Sequence, residues 1–199
     1  MVMPTRYLLQ GLARGGAQNL QTISLSNVFV EPHSPIFIAL GKGTLPFLKN
    51  MWLRYCGMDD DKVEFLASAL LAWRTGKGLR SLHIQGDRNV GPRGCAALVD
   101  ALIKGASPEL QELDLSGTSV GDEGCRAVIW CLGGGWAACA RTLRRLSLRD
   151  CEVTSRGMDV WLHGMTTMPL PLPALQTLDL GDNAHLGDPG LEHLVDGWV

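Results

Sequence analysis

The sequence predicts an α/β solenoid, with short parallel strands forming a curved sheet on the concave face and helices on the convex face. Three observations lead there. One phrase, a leucine, two polar residues and an apolar-polar-apolar triplet, recurs with starts at residues 20, 48, 79, 110, 143 and 175. The starts lie 28 to 33 residues apart, so the repeat runs along the whole 199-residue chain. Between copies, apolar residues recur with a helical period. A unit this small cannot bury its apolar face alone, and stacking neighbours supplies the missing core.

The six phrases are Leu20-Gln-Thr-Ile23-Ser-Leu25, Leu48-Lys-Asn-Met51-Trp-Leu53, Leu79-Arg-Ser-Leu82-His-Ile84, Leu110-Gln-Glu-Leu113-Asp-Leu115, Leu143-Arg-Arg-Leu146-Ser-Leu148 and Leu175-Gln-Thr-Leu178-Asp-Leu180. Their triplets have the two-residue alternation of a strand with one buried face. In four copies the loop that follows closes on a glycine four residues past an apolar anchor: Val90 to Gly94, Val120 to Gly124, Val153 to Gly157 and Leu186 to Gly190. Glycine repeated at one structural position signals tight helix entry, not ligand binding. The first copy is the weakest. Glu31-Pro-His-Ser-Pro35 interrupts its loop, no glycine closes it, and only Ile36 to Leu40 can be helical before Gly41.

Helices follow from period. Val63, Phe65, Leu66, Ala69 and Leu70 are assigned to one face, as are Ala97, Leu98, Ala101 and Leu102. The corresponding helices elsewhere are Cys125 to Leu132, Met158 to Met165 and Leu191 to Trp198. Gly133-Gly-Gly135 and Pro169-Leu-Pro-Leu-Pro173 fall between a helix and the next strand and read as descending loops, which leaves residues 1–199 as one domain of about six repeats. Tyr7, Leu8, Leu9 and Leu12 have helical spacing where the helix of a preceding half repeat belongs. Arg6 and Arg14, ahead of any acidic residue, also allow a short import presequence.

These phrases, loops and helices resemble leucine-rich repeat proteins, and the long, helix-containing repeats resemble the ribonuclease-inhibitor-like subfamily. That resemblance gives the ninth repeat position a meaning, since it is asparagine or cysteine in the family. Here it is Cys56 in the second copy, Thr118 in the fourth and Cys151 in the fifth; the third and sixth copies carry an additional loop residue and do not align cleanly there.

Composition narrows the function. A net charge of −2 gives no reason to expect nucleic acid or an anionic membrane as partner, and no apolar run reaches the ~18 residues of a membrane-spanning helix. The six cysteines occur singly, without a C-x-x-C pair or a histidine at zinc-finger spacing. They read as small buried thiols in a reducing, intracellular compartment, and no metal or cofactor is expected.

Catalysis is testable from the register. The middle triplet position runs Ser24, Trp52, His83, Asp114, Ser147, Asp179 and faces the concave side. His83, Asp114 and Ser147 are the residue types of a hydrolase triad in the wrong order, because a triad needs histidine between nucleophile and carboxylate. The chain is therefore expected not to be an enzyme. Within the same subfamily, proteins that activate a small GTPase work from arginine and asparagine on loops after strands. Arg88 and Asn89 lie on such a loop and make GTPase activation the alternative function.

The remaining reading is a scaffold or adaptor that binds a protein partner on the concave face within a larger assembly. Its candidate surface comprises Asn50, Trp52, Arg54, Tyr55, His83, Gln85, Glu112, Asp114, Arg145 and Arg149. Trp52, placed outward between inward Met51 and Leu53 and beside Arg54 and Tyr55, is its expected hot spot. Arg144, Arg145 and Arg149 form a basic patch opposed by Asp114 and Asp150, suited either to an acidic segment or to salt bridges across strands. At the far end, apolar Leu191, Leu194, Val195 and Trp198 follow the last phrase with no further strand, so that end is expected to be covered by a partner or by self-association.

Overall fold

The computed structural model describes residues 9–73, 78–133, 136–159 and 174–188. Its elements are β1 (Thr22–Ser26), α1 (Pro35–Gly41), β2 (Asn50–Arg54), α2 (Asp60–Ala72), β3 (Ser81–Gln85), α3 (Pro92–Ile103), β4 (Glu112–Asp114), α4 (Gly121–Gly133), a 3-10 turn (Ala138–Arg141), β5 (Arg145–Ser147) and β6 (Thr177–Asp179). Each of the six strands starts at the third residue of its phrase, and the first three run one residue beyond the phrase, to Ser26, Arg54 and Gln85. They form one parallel sheet in chain order, and Ser24, Trp52, His83, Asp114, Ser147 and Asp179 stand side by side across it.

The repeat is stitched at both ends of its strand. At the entry, the carbonyl of the second phrase residue accepts two N–H groups from the next repeat: Gln21 from Lys49 and Asn50, Lys49 from Arg80 and Ser81, Arg80 from Gln111 and Glu112, and so on to Arg144. At the exit, the ninth position carries the bonding. The Cys56 and Cys151 thiols donate to the carbonyls of Leu25 and Leu115, and the Thr118 hydroxyl donates to that of Leu115.

The third and sixth copies do align at this position, through Asp87 and Asn183. The Cys56 and Gly57 N–H groups donate to the Asp87 carboxylate at 3.0 Å each. Those of Cys151 and Val153 donate to Asn183 Oδ1, while Asn183 Nδ2 donates to the carbonyls of Leu148 and Leu180. The additional loop residue is accommodated after the ninth position rather than before it.

Core and helix entry follow the expected chemistry. Phrase residues from Leu48 to Leu148 that point inward are buried, with the loop anchors Val90, Val120, Val153 and Leu186 beneath them. A β-carbon on Gly94 would stand 3.0 Å from the Asp60 Cα, and one on Gly157 3.2 Å from the Asp122 Cα. These glycines let successive helix entries touch. Asp60 then accepts the Gly91 and Gly94 N–H groups, and Asp122 accepts the Thr154 N–H and hydroxyl, so each acid caps the helix entry of the next repeat.

Phe65 departs from its assigned face. It is 39% exposed and meets His33 edge-on, because a residue two positions from Val63 lies about 200° around a helix. Residues 9–13 are helical, with Leu9 and Leu12 buried, and the Thr44 hydroxyl donates to the Leu12 carbonyl; Tyr7 and Leu8 lie outside the described residues. Residues 155–159 are helical as well. The remainder of the Met158–Met165 helix, the Pro169–Pro173 loop, Gly190 and the apolar residues 191–198 lie outside the described residues. No helix among the described residues is long and apolar enough to cross a membrane.

All six cysteines are free and buried. Burial pushes each thiol up, Cys139 to about 11, Cys125 and Cys131 to about 12, and Cys95 further. Native chain at pH 8 is expected to resist a thiol reagent such as dithionitrobenzoate and to release colour only as it unfolds in urea. Fast reaction of one or more thiols before unfolding would show an opening that the packing does not contain.

Candidate functional site

The concave face holds a hollow of about 490 Å³ over the middle and later strands. Arg54, Tyr55, His83, Gln85, Glu112, Asp114, Arg145 and Arg149 line it; Asn50 and Trp52 lie outside the lining, on β2. Asn50 is spent on a bond from its amide to the Thr22 hydroxyl. The remaining candidates divide into an aromatic end and an ionic end.

At the aromatic end Trp52 is 37% exposed, and its ring is held rather than free. Its indole N–H donates to Ser81 Oγ at 3.0 Å, and the ring stacks on His83 with centroids 5.7 Å apart. Ser81 is the hub beneath it, bonded to His83 Nε2 at 3.0 Å and donating to Glu112 Oε2 at 3.2 Å. Tyr55 is 51% exposed, and its ring lies so close over Gly86 that a β-carbon there would overlap it. The Arg54 guanidinium sits 5.7 Å from the Tyr55 ring centre and has no carboxylate partner among the described residues.

At the ionic end the arginines are paired within the fold, though not with the acids expected. Arg145 bonds Glu112, and Arg149 bonds Asp182 at 2.5 Å with Asp179 at 3.9 Å. Asp114 instead accepts from the Gln85 amide, from the Ser116 N–H and from the Ser116 hydroxyl. Asp150 is taken by Arg88, whose Nη2 reaches it at 2.5 Å and whose Nη1 lies 3.6 Å from Glu152. The register explains the exchange: Glu112 is directly opposite Arg145, whereas Asp114 is opposite Ser147.

Two enzymatic readings meet this geometry. Asp114 stands between His83 and Ser147 in the sheet, and Ser147 Oγ bonds Ser116 Oγ at 2.8 Å rather than the imidazole. Arg88 is locked against the fifth repeat, and the Asp150 carboxylate bonded to its guanidinium holds it above its ordinary proton affinity. Among the described residues no group of three or more His, Cys, Asp or Glu is placed to hold a metal ion.

Reasoning from sequence did not single out Ser81, Ser116 or Asp182 as site members. Ser81 and Ser116 do occupy the same concave phrase positions as Glu112 and Arg149, so position in the phrase was the available signal. Their small side chains concealed how much of the hydrogen bonding they carry. Glu112, already a member of the candidate surface, supports Ser81, His83 and Arg145 together.

The repeats match known proteins. A sequence model of the family described as Leucine Rich repeat matches residues 106–128, 139–160 and 173–195, which are the fourth, fifth and sixth repeats. The ribonuclease inhibitor of Sus scrofa is 27% identical over 175 residues, an alignment covering 74% of this chain and 36% of the relative. The chain thus spans about a third of the length of that curated relative. With six matching phrases, one parallel sheet and helices behind it, the chain is a leucine-rich repeat protein of the ribonuclease-inhibitor-like kind.

Proposed function

We propose that this protein is a non-catalytic interaction scaffold that takes a protein partner on its concave face, inside a cell and within a larger assembly. The observation that carries the reading is the aromatic end of the concave surface, where Tyr55 lines the hollow, Trp52 lies beside it, and both are exposed yet immobilised by Ser81, His83 and Gly86. Rigid aromatic rings beside an arginine are the composition of interface hot spots, and rings already held in place lose little entropy on binding. Similarity to a protein named an inhibitor of a ribonuclease supports protein binding as the general mode. Six free thiols support a reducing compartment.

Affinity capture from cell extract with the full chain, followed by mass spectrometry and repeated with Trp52→Ala, tests the reading. The expected outcome is a partner whose binding falls by about 2 kcal/mol or more in the variant. The variant loses one indole hydrogen bond and a ring stack, so unfolding free energy should fall by only about 1 kcal/mol. A partner retained equally by Trp52→Ala and Tyr55→Ala would place binding elsewhere on the molecule.

A further inference from the structure

Beyond the aromatic end the middle row of the floor is built of acceptors, flanked by Arg145 and Arg149, which are paired with Glu112 and Asp182. The Ser116 hydroxyl donates to Asp114 Oδ1, so the proton in the 2.8 Å bond between Ser116 and Ser147 comes from Ser147. That leaves the Ser147 oxygen with lone pairs and no proton to offer. On one side of it stands Asp114, served by neutral donors, with His83 Nδ1 4.0 Å away as its only nearby ring nitrogen. On the other stands Asp179, which accepts the Gly181 N–H and has Arg149 no nearer than 3.9 Å. The register puts all three on adjacent strands, in the order Asp114, Ser147, Asp179.

Three acceptors in a row, of which Asp114 meets no Lys or Arg among the described residues and Asp179 has only the long contact to an Arg149 already bonded to Asp182, fit a group that only donates. An alkylammonium or a guanidinium is such a group. Arg54, which has no carboxylate partner among the described residues, lies at the aromatic end and repels a second cation from there, which gives the occupant a direction. From β2 to β5 is three strand spacings, or about 14 Å, and an extended chain covers that in about four residues.

Resting on the concave-face reading above, we propose that the hollow receives an extended segment of the partner protein through two anchors: a Lys or Arg whose head sits over Ser147 between Asp114 and Asp179, and an apolar or aromatic residue about four positions away on Trp52 and Tyr55. The cation supplies the donors that the middle row lacks, and the apolar residue covers the exposed rings.

Selection of random dodecapeptides displayed on phage against the full chain tests this, with each selected peptide then titrated onto variants. The expected result is enrichment of Lys or Arg about four positions from an apolar or aromatic residue. Binding should weaken at least roughly tenfold in Asp114→Asn/Asp179→Asn and decline with added salt. Asparagine keeps the side-chain volume and one acceptor oxygen at each position. Asp179→Asn alone, on the more exposed of the two acids, provides a second variant if the double substitution disturbs folding, and should give part of the loss. Peptides without a basic residue, peptides indifferent to both variants, or no selected peptide at all would overturn the proposal. Peptides that lose affinity in Trp52→Ala but not in the asparagine variants would sink the cation anchor and leave the concave-face reading standing; peptides indifferent to all of the variants would sink both.

Discussion

Replacing Leu113 with alanine is expected to lower the unfolding free energy by roughly 2 to 5 kcal/mol, read as a shift of the urea midpoint. Leu113 is 2% exposed on β4, the fourth strand of six, with Leu82 and Leu146 opposite it on either side. Removing its side chain leaves a cavity between two repeats, and flanking layers held by strand bonds on both sides have little room to close it. Glu112→Ala, one residue earlier, should cost about 1 kcal/mol, since it strips acceptors from Ser81 and Arg145 without opening the core. Equal midpoint shifts for the two would contradict the assignment of inward and outward positions.

Asp87→Ala is expected to cost about 2 to 4 kcal/mol, because it leaves two N–H groups without their charged acceptor in a buried loop. Asp87 itself is only 8% exposed, so water is poorly placed to substitute. Hydrogen exchange should localise the damage: the Cys56 and Gly57 amides lose protection before those of β3. Asp87→Asn has the opposite expectation, unchanged or increased stability. Asn183 shows why, since one amide oxygen there serves two N–H groups while its nitrogen donates to two carbonyls. In the third repeat the equivalent carbonyls belong to Leu53 and Ile84, and the neutral side chain also removes a buried charge. A loss for Asp87→Asn as large as for Asp87→Ala would show that the charge itself, rather than acceptor geometry, holds the loop.

Much of the candidate site was legible as position and little of it as pairing. The phrase placed Trp52, His83, Asp114 and Ser147 side by side, and the sheet register agrees residue for residue. Which acid meets which arginine was not legible. Arg145 meets Glu112 and Arg149 meets Asp182, because a long side chain selects among several carboxylates by three-dimensional reach. Arg88 reaches from the third repeat, across the fourth, to Asp150 in the fifth.

By itself, the sequence determined the strand register, the inward leucines, the helix-entry glycines and the burial of single cysteines. Each of these follows from a local period or from the size of one side chain at a recurring position, and stacking like on like preserves it. Only the tertiary structure decided which N–H groups Asp87 and Asn183 accept and that Ser81 anchors Trp52. Those outcomes depend on polar groups some thirty residues apart in the chain, brought within 3 Å of one another by the stacking of repeats. A hydrogen bond is directional and short-ranged, so its partner is chosen only once the backbone has placed the competitors; hydrophobic burial is neither, and is therefore written in the pattern of the chain.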